Sequence, residues 1–313
     1  MADTLVTGAT GFIGRHLQGN GVRGLVRQSD GTPGAVSGDV LDVESLHRAC
    51  AGIETVYHCA GFAHAFGHHD PGLHWRINFE GTRNLLQAAA GAGVRSFIFL
   101  SSVKAMAEPG EQCVDELFTG EPVSPYGQAK RAAEEAVLEA GTRHGMHVVN
   151  LRLAMVYGHG GHGNLERMAR GVRAGWFPPI PDTGNRRSLV HVSDVVAAIR
   201  HVARDPRANG STYIVADPLA YSTRQIHDGI RAALGLPATG WSIPAPVWRA
   251  GGMIGDVVGG ILRRSLPLNT EVVSRLLESA CYLPDRIGRE LGWRAQTGLA
   301  AGLQEMMGPN GTH

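Results

Sequence analysis

The sequence predicts an α/β protein: a doubly wound parallel sheet carrying a smaller C-terminal lobe. Three observations lead there. Short apolar runs alternate with helical patterns through the first half of the chain. Glycine is abundant, at 43 of 313 residues, which implies many short connections. From about residue 217 the alternation stops, and helical segments broken by proline and glycine take over. Strand-helix alternation favours parallel strands with helices on both sheet faces.

Strands are expected over Thr4–Thr7, 24–27, 36–38, Thr55–His58, 97–101 and 148–153. Helices fit between them at 43–51, 79–91 and 128–144. In the second of these, Leu85, Leu86, Ala88 and Ala89 make an apolar face, with Arg83 and Gln87 elsewhere. A later strand at 212–216 should rejoin the same sheet. Trp241, Trp248 and Trp293 are expected to pack in the core or between lobes, and the tail 308–313 to fray.

The first turn carries the first functional signal. Gly8, Gly11 and Gly14 follow a strand and open a helix. This spacing permits a tight turn and close backbone approach, so a pyrophosphate can rest on amides of Gly11, Phe12, Ile13 and Gly14. A Rossmann-type dinucleotide-binding domain is therefore expected over 1–156, joined by 189–216. Residues 157–188 and 217–313 are left for a substrate-binding lobe. Asp39 and Val40 follow the third strand, where the carboxylate suits the adenine amino group. Cys59, Ala60 and Gly61 follow the fourth, where small residues let a cofactor lie close. The second strand ends on Arg27 rather than on the acid that holds a ribose 2′-hydroxyl in NAD sites. A guanidinium there suits a 2′-phosphate, so NADP is favoured over NAD. Gly19-Asn20-Gly21 makes the helix after Gly14 very short, which weakens the placement of Arg27.

The second signal is Tyr126-Gly127-Gln128-Ala129-Lys130. On a helix, positions i and i+4 share a face. A lysine ammonium there is expected to lower the tyrosine pKa toward working pH. Ser102, the second of two serines ending a strand, can orient a substrate oxygen.

Together these stretches resemble the extended short-chain dehydrogenase/reductases of the nucleotide-sugar epimerase/dehydratase family. The similarity runs through residues 7–14, 58–61, 78–84, 99–103, 126–130, 151–158, 187–194 and 289–293. It implies Tyr126 as acid/base, Lys130 as its partner and nicotinamide-ribose contact, Ser102 as the hydroxyl at the sugar C4 oxygen, and Asn78 among the cofactor residues. It implies Arg187 at a substrate diphosphate, Arg275 as a second phosphate arginine, and Asn164 and Lys104 as substrate contacts. It also implies a homodimer joined through helices that include the 126–130 helix. Family 4,6-dehydratases carry Asp-Glu after the hydroxyl residue; Val103-Lys104 here argues against dehydration. Leu151-Arg152-Leu153 replaces the common Leu-Arg-Pro. The expected activity is reduction of a UDP-linked 4-keto deoxy or amino sugar. The alternatives are a UDP-hexose 4-epimerase with tightly held NAD, a non-sugar ketone reductase, and a non-catalytic NADP sensor.

Bulk properties are consistent with this. With 29 basic and 28 acidic side chains, net charge gives no reason to expect nucleic acid or an anionic membrane as partner. No apolar run approaches the roughly 20 residues of a membrane span. The N-terminus has no signal-like pattern, so a cytoplasmic location is expected. Cys50, Cys59, Cys113 and Cys281 form no C-x-x-C pair and are expected to be reduced. His58, His64, His68, His69 and His74 crowd one region, but one nearby carboxylate, Asp70, is too little for a metal site, and none is expected.

Overall fold

The structure is a computed structural model that describes residues 2–28, 34–62, 70, 72–161, 163–262, 266 and 268–308. His64, His68 and His69 lie outside the described residues, as does the tail beyond Gly308.

Strand β1 (Thr4–Thr7) leads through the glycine turn to β2 (Val22–Val26), β3 (Ala35–Ser37) and helix α1 (Val43–Cys50). Then come β4 (Thr55–His58), α2 (Gly81–Gly91), β5 (Ser96–Ser102), the short β6 (Cys113–Val114), α3 (Pro125–His144) and β7 (His147–Leu153). The seventh strand of the main sheet, β10 (Ser211–Val215), arrives after β8 (Met155–Tyr157), α4 (Asn164–Arg173), β9 (Arg187–His191) and α5 (Val192–Arg204). The order β3-β2-β1-β4-β5-β7-β10 is parallel throughout. Six residues of β5 are buried, as a strand covered on both faces requires. Val6, Ile98, Val149, Leu151, Ile199 and Tyr213 form the core on one face. Leu5, Leu46, Leu85, Phe97, Phe99 and Val137 form it on the other.

Local chemistry explains the helix starts. The Asp42 carboxylate accepts from the Glu44 and Ser45 amides and caps α1. Ser124 accepts from Gly127 N and Pro125 occupies the first turn of α3, so this helix begins three residues before the expected 128. Gly145, at φ +65°, ends it. The expected helix at 79–91 is resolved into a π-helical turn, Trp75–Glu80, followed by α2.

After Gly14 there is only a 3-10 turn, Gly14–Leu17. Gly19 at φ +156° and Gly21 at φ +80° take backbone angles that stop a helix and return the chain to β2. That strand spans Val22–Val26, two residues earlier than expected, and Arg27 lies just beyond its end.

The lobe holds strands that the sequence pattern did not reveal. β9 pairs with β8 and with β11 (Ala220–Tyr221) in a separate three-stranded sheet. Helices α6 (Thr223–Ala233), α7 (Ala245–Leu262) and α8 (Thr270–Leu277) follow. β12 (Cys281–Tyr282) pairs with β6, ahead of α9 (Asp285–Leu291) and α10 (Leu299–Met307). A third core of Tyr157, Leu165, Ile180, Leu189, Ile226, Trp248 and Leu303 unites the lobe.

Two expectations are corrected. Cys113 and Cys281 are not free thiols: they form a disulfide across the β6-β12 pair, because the fold places residues 168 apart in adjacent strands. Cys50 and Cys59 are free, and burial pushes their thiols up to about 11 and about 12. Trp248 and Trp293 are buried as expected, but Trp241 is 60% exposed, in the connection between α6 and α7. Among the described residues, no helix is long and apolar enough to cross a membrane.

Candidate active site

The glycine turn is close-packed. A Cβ on Gly14 would collide with the Gly8 carbonyl oxygen. One on Gly8 would lie 2.8 Å from the Ala60 amide nitrogen, where β4 ends. Gly8 itself sits at φ +64°. Gly11 N donates to Gly8 O at 2.9 Å, while the Phe12 and Ile13 amides donate to no backbone carbonyl among the described residues. Those free donors at the carboxyl edge of a parallel sheet fit a dinucleotide pyrophosphate. The second segment fits as well. Asn78, aimed by the π-helical turn, accepts from Phe62 N at 2.8 Å and donates to Phe62 O at 2.9 Å. A Cβ on Gly61 would lie 3.0 Å from Asn78 Oδ1 and 3.5 Å from Lys130 Nζ, so backbone alone passes there. Asp39 accepts from Leu41 N, and Val40 packs on Gly81 at the start of α2. Arg27 is exposed.

Under these loops runs a buried chain of hydrogen bonds. Thr82 Oγ1 donates to Asn78 O and so accepts from His58 Nε2 at 2.9 Å. His58 Nδ1 then accepts from Thr7 Oγ1 at 2.7 Å, and Thr7 accepts from Ala60 N. His58 is thus a neutral imidazole joining β1, β4 and α2. Burial and then the Lys130 charge push its pKa down to about 3. Among the described residues no histidine, cysteine and carboxylate group could hold a metal.

Helix α3 presents Tyr126, Lys130 and Glu134 at successive i+4 positions. Lys130 Nζ donates to Leu100 O at 2.8 Å and lies 4.5 Å from the Phe99 ring centre. Burial pulls its pKa down to about 8, against the opposing pull of Glu134 and Cys59. Ser102, at the end of β5, presents its hydroxyl to Tyr126, which favours the phenolate. The three expected catalytic residues therefore come together. The expected lowering of the Tyr126 pKa does not follow, however. Burial dominates and raises it, and the lysine charge is turned toward the Leu100 carbonyl. The His74 ring meets Tyr126 edge-on at 5.7 Å.

Sequence reasoning missed the anchor beneath this triad. Glu134 and Arg152 form a buried bidentate pair, with Arg152 Nη2 2.7 Å from Glu134 Oε2 and Nε 3.0 Å from Oε1. Ser101 donates to the same carboxylate at 2.5 Å. The i+8 spacing of Glu134 from Tyr126 was the available signal. The arginine of the Leu151-Arg152-Leu153 stretch is what Glu134 pairs with.

Of the four residues expected to contact substrate, Arg187 opens β9, Asn164 opens α4, Arg275 lies on α8 and Lys104 just follows β5, and three of them are already partnered. Arg187 Nη1 donates to Glu278 O at 3.0 Å, and burial lowers its pKa, with Arg275 pushing the same way. Arg275 is paired with Glu271 on the exposed side of α8. Lys104 is paired with Glu108 at 2.8 Å, and its amide donates to Ser102 Oγ. Asn164 is exposed at the first turn of α4.

Three comparisons bear on this geometry. The model of the NAD dependent epimerase/dehydratase family matches residues 4–216. UDP-glucose 4-epimerase of Vibrio cholerae is 28% identical, over 96% of this chain and 93% of its own length. N-acetyl-alpha-D-glucosaminyl-diphospho-ditrans,octacis-undecaprenol 4-epimerase of Escherichia coli O157:H7 is 25% identical, over 97% and 94%. The solved structure of MoeE5 in complex with UDP-glucose and NAD superposes with a TM-score of 0.74 at 25% identity, covering 98% of this chain and 97% of that one.

Proposed function

This chain belongs to the NAD dependent epimerase/dehydratase family, and from that premise we propose that it performs hydride chemistry at C4 of a sugar diphosphate, as a 4-epimerase of a nucleotide-linked sugar. The observation that carries this reading is that Ser102, at the end of β5, stands beside Tyr126 on the helix face that also presents Lys130, which is held at the Leu100 carbonyl of the same strand. Bound nicotinamide supplies a hydride acceptor and, in its reduced form, a donor. The chain's own residues handle the proton. Tyr126 takes it from the C4 hydroxyl as the ketone forms and returns it as the alcohol reforms. Ser102 holds the C4 oxygen in line with Tyr126, and Lys130 would hold the nicotinamide ribose. Arg187, seconded by Arg275, would hold the diphosphate, with Asn164 and Lys104 as further contacts. The carrier beyond that diphosphate is a nucleoside, as in the V. cholerae relative, or a polyprenol, as in the E. coli relative; Arg187 would meet the same diphosphate in both.

A second reading is net reduction of a 4-keto sugar with NADPH. The exposed arginine at the end of β2, where an acid would favour NAD, supports it. A homodimer through helices that include α3 accompanies either reading, with sedimentation as its test.

The deciding experiment incubates the protein with UDP-glucose, UDP-N-acetylglucosamine and a UDP-4-keto-6-deoxy sugar. Product NMR is read together with reduced-nicotinamide absorbance. Interconversion of C4 epimers without net cofactor change is expected. Stoichiometric NADPH loss on the keto sugar alone establishes the second reading. No turnover in any arm refutes both.

A further inference from the structure

Helix α7 is built inside out. Its small residues Gly252, Gly255 and Gly259 are buried with Trp248, and a Cβ on Gly255 would collide with the Leu268 carbonyl. The glycines thus let the helix lie flush on the start of α8. The outward face carries Val247, Ile254, Val257, Val258 and Ile261, each between 37% and 76% exposed. Of the 16 large hydrophobic side chains left exposed among the described residues, seven lie on α7. Concentration on one helix, rather than scatter, marks an interaction surface.

Charge selects the occupant. The stretch 245–268 holds three arginines (Arg249, Arg263 and Arg264) and one acid. That acid, Asp256, accepts from the Thr270 amide at the start of α8. An apolar stripe with Arg249 exposed in its first turn, in a stretch whose sequence is basic, suits an anionic lipid surface. It suits a second copy less well, because self-association brings the same excess of arginine over acid to both sides. The overall charge balance does not register this local asymmetry. At about 27 Å for 18 residues, the helix is long enough to lie along a bilayer.

We infer that α7 is a docking helix for an anionic lipid bilayer. The site beside it gives this a use. Helix α8 touches α7 at its first turn, and the Glu278 carbonyl just past its last turn holds Arg187. One eight-residue helix, about 12 Å, therefore separates the docking face from the diphosphate arginine. A bilayer under α7 puts that arginine within reach of a sugar diphosphate whose other ester is a membrane-embedded polyprenol. This use rests on the C4 reading above; the docking itself does not.

The test floats the full-length protein with vesicles of phosphatidylethanolamine and phosphatidylglycerol, and separately with pure phosphatidylcholine. The Ile254→Glu/Ile261→Glu variant runs in parallel. Both changes are at exposed positions, and circular dichroism checks that the fold is kept. Flotation on the anionic vesicles is expected, with a loss of about tenfold or more in the variant. No flotation, or equal flotation of both proteins, overturns the inference. So does a wild-type assembly that the variant halves in mass without lipid, since a second copy then covers α7. Turnover of soluble UDP-sugars by the variant should match wild type. Absence of that turnover in both proteins bears on the C4 reading and leaves the flotation result standing.

Discussion

Lys130 donates from Nζ to the Leu100 carbonyl across 2.8 Å, tying α3 to the end of β5. The bond fixes where the ammonium sits. Burial sets its pKa at about 8, so the charged form prevails below that pH and is lost above it. Activity that needs the ammonium at the nicotinamide ribose should fall as pH rises through 8. The pH dependence of kcat reads this limb directly. Replacing the lysine by methionine should cost about a hundredfold or more in kcat, and Tyr126→Phe as much, with unfolding curves near wild type.

His58 ties pH to stability. Its pKa is about 3 in the fold, against 6.5 for a free imidazole, so the folded state excludes a proton that the unfolded chain accepts. Its contribution is complete above pH 6.5 and is lost as pH falls toward 3, at about 1.4 kcal/mol per pH unit. Urea unfolding at a series of pH values from neutral to 4 should show this limb. It should flatten in His58→Gln, which is also less stable at neutral pH through the lost Thr7 and Thr82 bonds.

The Glu134–Arg152 pair is buried, with side chains 3% and 8% exposed. Removing one partner strands the other charge, so Glu134→Gln should destabilise by about 3–5 kcal/mol. The double variant Glu134→Leu/Arg152→Met should lose less than the single one. Denaturant midpoints of wild type, Glu134→Leu, Arg152→Met and the double variant decide this.

How much of this could be read from sequence follows from chemistry at each position. The seven sheet strands and helices α1 to α3 were legible because a strand covered on both faces is a continuous apolar run and a surface helix repeats near 3.6. The catalytic helix face was legible from the Tyr126–Lys130 spacing. Glu134 was not, because a glutamate on a helix reads as solvent-facing, and only its partner on β7 shows otherwise. Two-residue strands such as β6, β11 and β12 carry too few positions for any period. The disulfide was invisible for another reason. Nothing local in Cys113 or Cys281 reports that their segments become neighbours in the fold.

Gly14→Ala tests the first turn. The new methyl would strike the Gly8 carbonyl, which must move to admit it. Titration of reduced nicotinamide fluorescence should show at least about tenfold weaker binding, while thermal unfolding shifts little if only the turn adjusts. Unchanged affinity would mean that the pyrophosphate lies elsewhere.

The disulfide stands next to Arg187, the arginine proposed to hold the diphosphate. Cys281 follows Ala280, whose amide donates to Arg186 O, and Ser279 donates to Glu111, two residues before Cys113. Cys113→Ser/Cys281→Ser should lower stability by up to about 5 kcal/mol on the loop-entropy account. It should also raise KM for a sugar diphosphate more than it lowers kcat, because Arg187 loses support while Tyr126 does not. Steady-state kinetics with and without reductant separate the two effects.

The same bond changes what the chain is as a connected object. Residues 113 to 281 become a closed ring with two tails, one carrying the glycine turn and the other ending the lobe. The ring contains Tyr126, Lys130 and Arg187. A single backbone cut within it, for instance near the glycine-rich stretch at 158–163, leaves every fragment covalently attached. In the oxidised protein such a nick opens a loop without releasing a piece, so Tyr126, Lys130 and Arg187 remain on one molecule.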